Sequence, residues 1–524
     1  MRSLLGRFHR PNARSQTERL FMLNNLGDGS TLSLDFTTGV LDPRLTFSRA
    51  SGGTYVGNDG FVYGVDFATS SSLAIGTGSK SVTLTATAGQ SRRYEIGQTV
   101  YIANGANNMS GAVTAYSAAT QVLTINATST SGSGSFTSWI VGNASPRFDY
   151  NSTTTPPTPR GLLIEGSADN YMLQSSSLTG YSNSGMATVA AGSETDPTGT
   201  ANSAIQIYAT AGGTYHGFYR TITAGTNTQI TVSIWAKART YTHLFLSDGN
   251  SGRAAVRFNL STGATDNNFG AGYVSAKATP FPNNWWRCEM VVNVTASTSY
   301  GWTFVGVPSS GATLNGFGAQ YTGTGNAADG IYCYGFQVEA GNGASSYIPT
   351  GASTGNRAVD VCTMSNITAL NYNANGGTLF AHFSNNTENA NFAGSIGFNN
   401  GANYAQRLRW GSGTLLASYY QTNGTTALGS NLAGSRTSFA SAKAATSYSF
   451  DGTTTSTAMS INGAQATITP TSSAVSGVSI ATAFALNSDN SSAATAYPSI
   501  AIRSVKFYPT ALTMAQMNAI TANP

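Results

Sequence analysis

From about residue 30 onward the chain is written in short runs where apolar and polar residues alternate, separated every ~8–15 residues by clusters of Gly, Asn, Ser, Thr and Pro. Alternation sends successive side chains to opposite faces of a strand and the clusters supply the turns, so the pattern predicts an all-β protein. Around 228–236, Ile230, Val232 and Ile234 alternate with Thr231, Ser233 and Trp235. If Ile234 faces a core, Trp235 faces the other way. The same alternation runs through Val256, Phe258 and Leu260, and through Val291 and the stretch around Val294. At Ile500, Ile502 and Val505 it slips by one residue, which predicts a bulge. Helical periodicity is confined to one segment. Over 514–521 Thr513 is placed to cap a short helix, Gln516 to reach back to the cap, and Leu512 and Met517 to staple its start.

Composition narrows the class of protein. The 524 residues suffice for roughly three or four domains. Only 9% are charged, against about 25% in an average soluble chain, while 40% are hydrophobic; a disordered, charge-rich polymer is excluded. A formal charge of +5 over this length implies no nucleic-acid partner. No apolar run reaches the ~18 residues of a membrane helix, so no membrane insertion is expected. Cys288, Cys333 and Cys362 form neither an even disulfide framework nor a CxxC pair. With no strict repeat of about 20–50 residues, a propeller or regular β-helix is disfavoured.

Composition shifts set the expected boundaries. Residues 1–30 are a basic arm in which Arg2, Arg7, Arg10 and Arg14 have little acidic company, a docking arm or a disordered end. Residues 31–75 and 143–166 form an N-terminal β unit interrupted by a small β-barrel over 76–142. The barrel's five strands are expected at Ser81–Ala86, Thr99–Ala103, Gly111–Tyr116, Gln121–Asn126 and Ser138–Val141. Pro156, Pro157 and Pro159 should run extended over a surface. A β-sandwich follows over 167–350, a Gly/Asn/Ser-rich linker over 351–375, and a second sandwich over 376–524.

Several stretches carry a resemblance. LDFTTGVLDPRLTFSRAS at Leu34–Ser51, TYVGNDG at Thr54–Gly60 and PRFDYNSTTTPPTPRGLLIEGSADNYML at Pro146–Leu173 resemble bacteriophage tail-fibre and virion-appendage proteins. The insert, with GTGSK at Gly76–Lys80, IGQTVYIA at Ile96–Ala103 and SGAVTAYS at Ser110–Ser117, is similar to a small β module of phage fibres. NNWWRCEM at Asn283–Met290, GFQVEAGNGASSYIPT at Gly335–Thr350 and GNRAVD at Gly355–Asp360 continue the likeness, in a region that looks like a carbohydrate-binding jelly roll. The end of the chain, through FYPTALTMAQMNAI, is similar to concanavalin-A-like or laminin-G-like sandwiches. The resemblance implies a virion appendage or tail fibre, a homotrimer joined to other virion proteins, with host-surface polysaccharide as its external partner. It also implies virion docking through Arg2, Arg7, Arg10 and Arg14.

No catalytic or metal constellation stands out. His9, His216, His243 and His382 are scattered, no DxDxDG-like loop occurs, and Gly76, Gly78 and Lys80 lack phosphate-loop spacing. Asp248, Glu289, Asp329 and Glu339 lie in the sugar-module-like region, but no spacing pairs them for glycoside hydrolysis. The expectation is therefore a non-enzymatic protein with no cofactor. Sugar recognition needs flat aromatic faces and planar polar groups, which makes Trp235, Tyr300, Trp302, Tyr332 and Tyr334 the candidate carbohydrate contacts. Core packing is the alternative role for each. A polysaccharide depolymerase and a purely structural head fibre or decoration protein are the competing functional readings.

Overall fold

The computed structural model describes most of residues 28–522; the longest internal segments outside the description are 85–93, 386–394, 432–440, 466–480 and 487–498. Among the described residues the architecture is antiparallel β, with one α-helix, near the C-terminus.

One sandwich corresponds to the jelly-roll-like region. Its first sheet has six strands in the order Met186–Val189, Ile205–Ala209, Ile331–Ala340, Gln229–Ala238, Trp285–Asn293, Tyr273–Phe281. Its second has eight, running from Thr265–Phe269 through Ala255–Asn259, His243–Asp248, Ser299–Val307 and Tyr215–Thr223 to Gly318–Gln320 and Thr313–Asn315. Ser182–Ser184 pairs onto Tyr215–Thr223. Ile230, Val232 and Ile234 enter the shared core with Leu244, Val256, Phe258, Trp302, Phe304 and Phe336. The alternation read from the sequence thus sets the inward face here.

Alternation fails at one informative place. Along Ile331–Ala340 the inward residues are Ile331 and Cys333, then Phe336 and Val338, because a bulge opposite Ser233–Trp235 adds a residue. Gly335 makes it workable: its φ is +65°, and a Cβ there would lie 2.7 Å from the Trp235 ring. The bulge moves Tyr332 and Tyr334 onto the same outer face as Gln337 and Glu339, which strict parity would separate.

The second sandwich draws strands from both ends of the chain. Its eight-stranded sheet runs Arg147–Asn151, Thr158–Ile164, Ile500–Tyr508, Gly376–Asn385, Ala442–Phe450, Thr455–Ile461, Ala464–Gln465, with Leu32–Asp35 also on Ile500–Tyr508. Its seven-stranded sheet starts with Thr46–Ser48, Val361–Met364 and Ala483–Leu486 and ends at Thr426–Asn431. The segments 31–75 and 143–166, expected as a unit of their own, therefore supply strands to the C-terminal sandwich. Leu32, Leu34, Phe47, Leu162 and Ile164 share one core with Leu379, Phe398, Phe484 and Phe507. The stretch 351–375 is no free linker. It holds Gly355–Arg357, paired with Ala168–Asn170, and Val361–Met364 inside the sheet. The bulge expected between Ile502 and Val505 falls at Arg503, skipped between the pairs His382–Ser504 and Phe383–Ile502.

The inserted module is a six-stranded sheet in the order Phe67–Thr69, Trp139–Val141, Thr99–Asn104, Asn107–Ser117, Val122–Ser131, Gly78–Thr83. Strands from both ends of that order, through Val82 and Trp139, contribute to one core of its own. The C-terminal helix spans Met514–Thr521. Thr513 Oγ1 accepts the Gln516 amide and the Gln516 side chain accepts the Thr513 amide, the reciprocal cap read from the sequence. Met517 is buried against Phe380, Ala445 and Tyr508, with Leu512 packed alongside.

All three cysteines are buried and unpaired. Burial pushes the Cys333 thiol up to about 12 and raises Cys288 and Cys362 as well. The native protein should give no fast reaction with a thiol-specific disulfide reagent at pH 8, and all 3 thiols should react once it is unfolded in guanidinium. A fast-reacting thiol in the native state would show that one of these cores is open.

Candidate functional site

The motif residues dispersed along the sequence converge on the seam between the two sandwiches. Arg147, at the start of its strand, is fully buried. Its Nη1 donates to Glu165 Oε2 at 2.6 Å and to Ser346 Oγ at 2.8 Å, with the Thr54 carbonyl at 2.9 Å, and its Nη2 donates to Asp360. Arg49 Nη1 reaches the other Asp360 oxygen at 2.9 Å. Arg357 Nη1 lies 3.4 Å from Glu165 and donates to Ser345 Oγ at 2.9 Å, while its Nη2 donates to the Gly166 carbonyl at 2.7 Å. From the jelly-roll side, the Ser346 amide and hydroxyl both donate to Glu165. The Ser345 amide, the Ser345 hydroxyl and Gln337 Nε2 donate to Glu339.

Burial alone would raise the Glu165 carboxyl, but Arg357 and then Arg147 outweigh it and hold the group well below the usual carboxylate range. Burial would lower Arg147, and Asp360 and Glu165 override that and hold it charged. At Glu339 burial wins over the hydrogen bonds from Ser345 and Gln337, and the carboxyl titrates above its ordinary value. Both oxygens of Glu165 and of Asp360 are engaged by donors, so these carboxylates hold the seam.

Beside this cluster a cleft of about 130 Å³ opens along the seam. That is below the ~300–1,000 Å³ of drug-sized pockets, so it suits one ring-sized group or the end of a chain. Its polar walls are Asp149 and Arg160 from the C-terminal sandwich, and Lys277, Arg287 and Glu289 from the outer face of the six-stranded sheet. Aromatic edges come from Tyr55, Tyr150, Phe281 and Trp235. Arg160 is brought in by a bulge opposite Asp149–Tyr150, made workable by Gly161 at φ +102°, where a Cβ would strike the Ile502 carbonyl. Its Nη1 lies 3.2 Å from Asp149, whose other oxygen accepts the Val56 amide at 2.8 Å. Burial raises the Asp149 carboxyl despite Arg160. Glu289 accepts the Ala344 amide and lies 3.5 Å from Lys277. Arg287 sits opposite Trp235 in the strand register, its guanidinium carbon 4.6 Å from the indole ring, and donates to Ser233 Oγ at 3.2 Å.

The aromatic residues expected to touch sugar divide. Trp235, Tyr332 and Tyr334 come together on the outer face of the six-stranded sheet, in a cluster with Val62, Ala204, Trp285 and Tyr347. Trp235 does face away from Ile234, as parity requires. It is nonetheless only 1% exposed, because the strands Thr54–Val56 and Val62–Gly64 and the 344–348 segment cover that face, so it presents an edge to the cleft and no open platform. Trp302 is 0% exposed in the jelly-roll core and cannot stack on a ligand. Tyr300 pairs with Ile222 in the backbone ladder, and its side chain lies outside the described residues. Arg2, Arg7, Arg10 and Arg14 also lie outside them. Of the candidate acids, Glu289 reaches the cleft, Glu339 belongs to the seam, Asp248 is buried, and Asp329 accepts a hydrogen bond from Thr324 at 2.5 Å. Among the described residues no group of three or more His, Cys, Asp or Glu side chains is arranged to hold a metal ion. Asp149, Arg160, Lys277 and Arg287 were not singled out as site residues, although Asp149, Arg160 and Arg287 stand inside the quoted motifs.

No protein-family profile matches the sequence, and no curated protein matches it. Solved structures do. The Ruminococcus gnavus IT-sialidase CBM40 bound to alpha2,3 sialyllactose is 14% identical, covers 30% of this chain and 86% of its own, and has a TM-score of 0.24. The binding domain of botulinum neurotoxin DC in complex with rat synaptotagmin II is 11% identical over 31% of this chain and 39% of its own, at a TM-score of 0.26. A Trypanosoma rangeli sialidase mutant displaying trans-sialidase activity is 8% identical over 60% of each chain, at a TM-score of 0.24. This last match corrects the non-enzymatic expectation only in that the chains aligned with 60% of this one include sialidases. The phage-appendage resemblance rests on the sequence motifs alone.

Replacing Arg147 with Met would leave Glu165 and Asp360 short of a buried cation. Removing one partner of a buried ion pair costs about 3–5 kcal/mol. Arg147→Met should lower unfolding stability by that amount in a urea titration, whereas a change below about 1 kcal/mol would show that the cluster does not hold the seam.

Proposed function

We propose that this chain is a glycan-binding adhesion protein of a phage-like particle, and that the seam cleft is where it contacts sugar. The cleft carries this reading: planar charged groups and aromatic edges converge there from two sandwiches, which is the combination that orients a sugar ring. The sequence motifs support a virion appendage or tail fibre exposed to the host surface. Low charge density and an abundance of hydroxyl and amide side chains suit an extracellular surface. In this reading the appendage is a homotrimer, so that single weak contacts are multiplied by effective concentration. Trp235 acts by shaping the cleft wall, with Tyr334 packed in the cluster behind it and the open-platform role dropped.

A second reading, hydrolysis at the same cleft, is favoured by one observation. Of the carboxyl groups lining the cleft, Glu165 is held in the seam, while Asp149 is pushed up by burial and Glu289 lies beside Lys277. Glycoside hydrolysis uses one protonated and one ionised carboxyl group.

Immobilised host polysaccharides should retain the wild-type protein and show no release of reducing ends. Reducing ends that disappear in Asp149→Asn would move the assignment from adhesion to hydrolysis, and no retention on any surface glycan would remove both. Deleting residues 1–20 should abolish incorporation into particles while leaving the thermal unfolding of the sandwiches unchanged; normal incorporation would reject the docking arm.

A further inference from the structure

The cations of the cleft are not equally paired. Arg160 lies against Asp149, which also accepts the Val56 amide, and Lys277 lies 3.5 Å from Glu289 Oε2, which also accepts the Ala344 amide. Arg287 is different. Among the described residues it forms no ion pair; it contacts the Ser233 hydroxyl and the face of Trp235, and its Nε–H is buried without an acceptor. Its charge acts through space on Glu339, whose oxygens are already occupied by Ser345 and Gln337. Trp235, 1% exposed and in the same wall, also has an indole Nε1–H with no acceptor. Buried donors left unmatched cost about 1–3 kcal/mol each, but the seam arginines Arg147 and Arg357 also carry an unmatched Nε–H, so what sets Arg287 apart is the missing ion pair.

We propose that the cleft takes a carboxylate-bearing sugar, with Arg287 as the group that holds the carboxylate. An ionised carboxylate is acceptor-only, matches the planar guanidinium fork and supplies the negative charge that Arg287 lacks. Trp235 serves through its ring, which fixes the guanidinium plane from across the strand pair. Lys277, exposed at the mouth, adds attraction at longer range. A neutral sugar would leave the Arg287 guanidinium without a directly paired carboxylate in the cleft. This inference rests on the glycan-binding reading and adds the class of sugar.

The test is equilibrium binding of the full chain to oligogalacturonate and sialyllactose, to the same compounds with carboxylates reduced to alcohols, and to a sulfated oligosaccharide. Wild type should bind the carboxylated forms about tenfold or more tighter than the reduced ones. Arg287→Gln should erase that difference, and Arg287→Lys, which keeps the charge and loses the fork, should restore only part of it. Equal binding of carboxylated and reduced forms, or preference for the sulfated one, overturns the inference and leaves glycan binding standing. Binding to none of them overturns both. If Arg287→Gln fails to fold by near-ultraviolet circular dichroism, the wild-type comparison of carboxylated with reduced probes decides alone.

Discussion

A buried cluster of charges ties the molecule together at the seam. Arg49, Arg147 and Arg357 face Glu165 and Asp360 in the buried seam, with Ser345 and Ser346 adding hydrogen bonds to Arg357 and Glu165. Removing such groups from water is expensive, and the arrangement holds only because every carboxylate oxygen has a donor. A cluster of this kind is unforgiving of misplacement. It therefore acts as a registration device: the backbone segments at 49–54, 147, 165–166, 345–346 and 357–360 must arrive together or not at all. We read its main contribution as fixing how one sandwich meets the other, which apolar packing alone would specify loosely.

The cleft follows from that junction. The six-stranded sheet of the jelly roll turns its apolar face inward and carries Arg287, Glu289, Gln337 and Glu339 on the other face. Part of that polar face is consumed by the seam and part by the Trp235 and Trp285 cluster. What is left between them, walled on the far side by Asp149 and Arg160, is a small pocket in which Arg160 and Lys277 lie beside carboxylates and Arg287, among the described residues, forms no ion pair. The same face thus stabilises the assembly at one end and lines the cleft at the other.

Much of the fold was legible. The strand content, the C-terminal helix with its reciprocal cap, the inserted module and the slip at Arg503 follow from local pattern, because alternation, capping and bulging are properties of neighbouring residues. The site was less so. Parity placed Trp235 opposite Ile234 correctly, yet gave no account of the strands Thr54–Val56 and Val62–Gly64 that cover it. Trp302 looked equivalent to Trp235 in the sequence and sits in the core instead. Along Ile331–Ala340 the bulge at Gly335 scrambled the alternation, so that Tyr334 and Glu339 share a face that counting by twos denies them.

By itself the amino-acid sequence determined which segments are strands, where the helix begins, and which short motifs carry a family resemblance. Only the tertiary structure decided that those motifs meet, that segments near the N-terminus complete the C-terminal sandwich, and that among the described residues Arg287 forms no ion pair while its neighbours do. The reason is physical. Strand formation is set by side chains a few residues apart, whereas an ion pair or a strand edge finds its partner across hundreds of residues, and period-two patterning names a face without naming what will cover it.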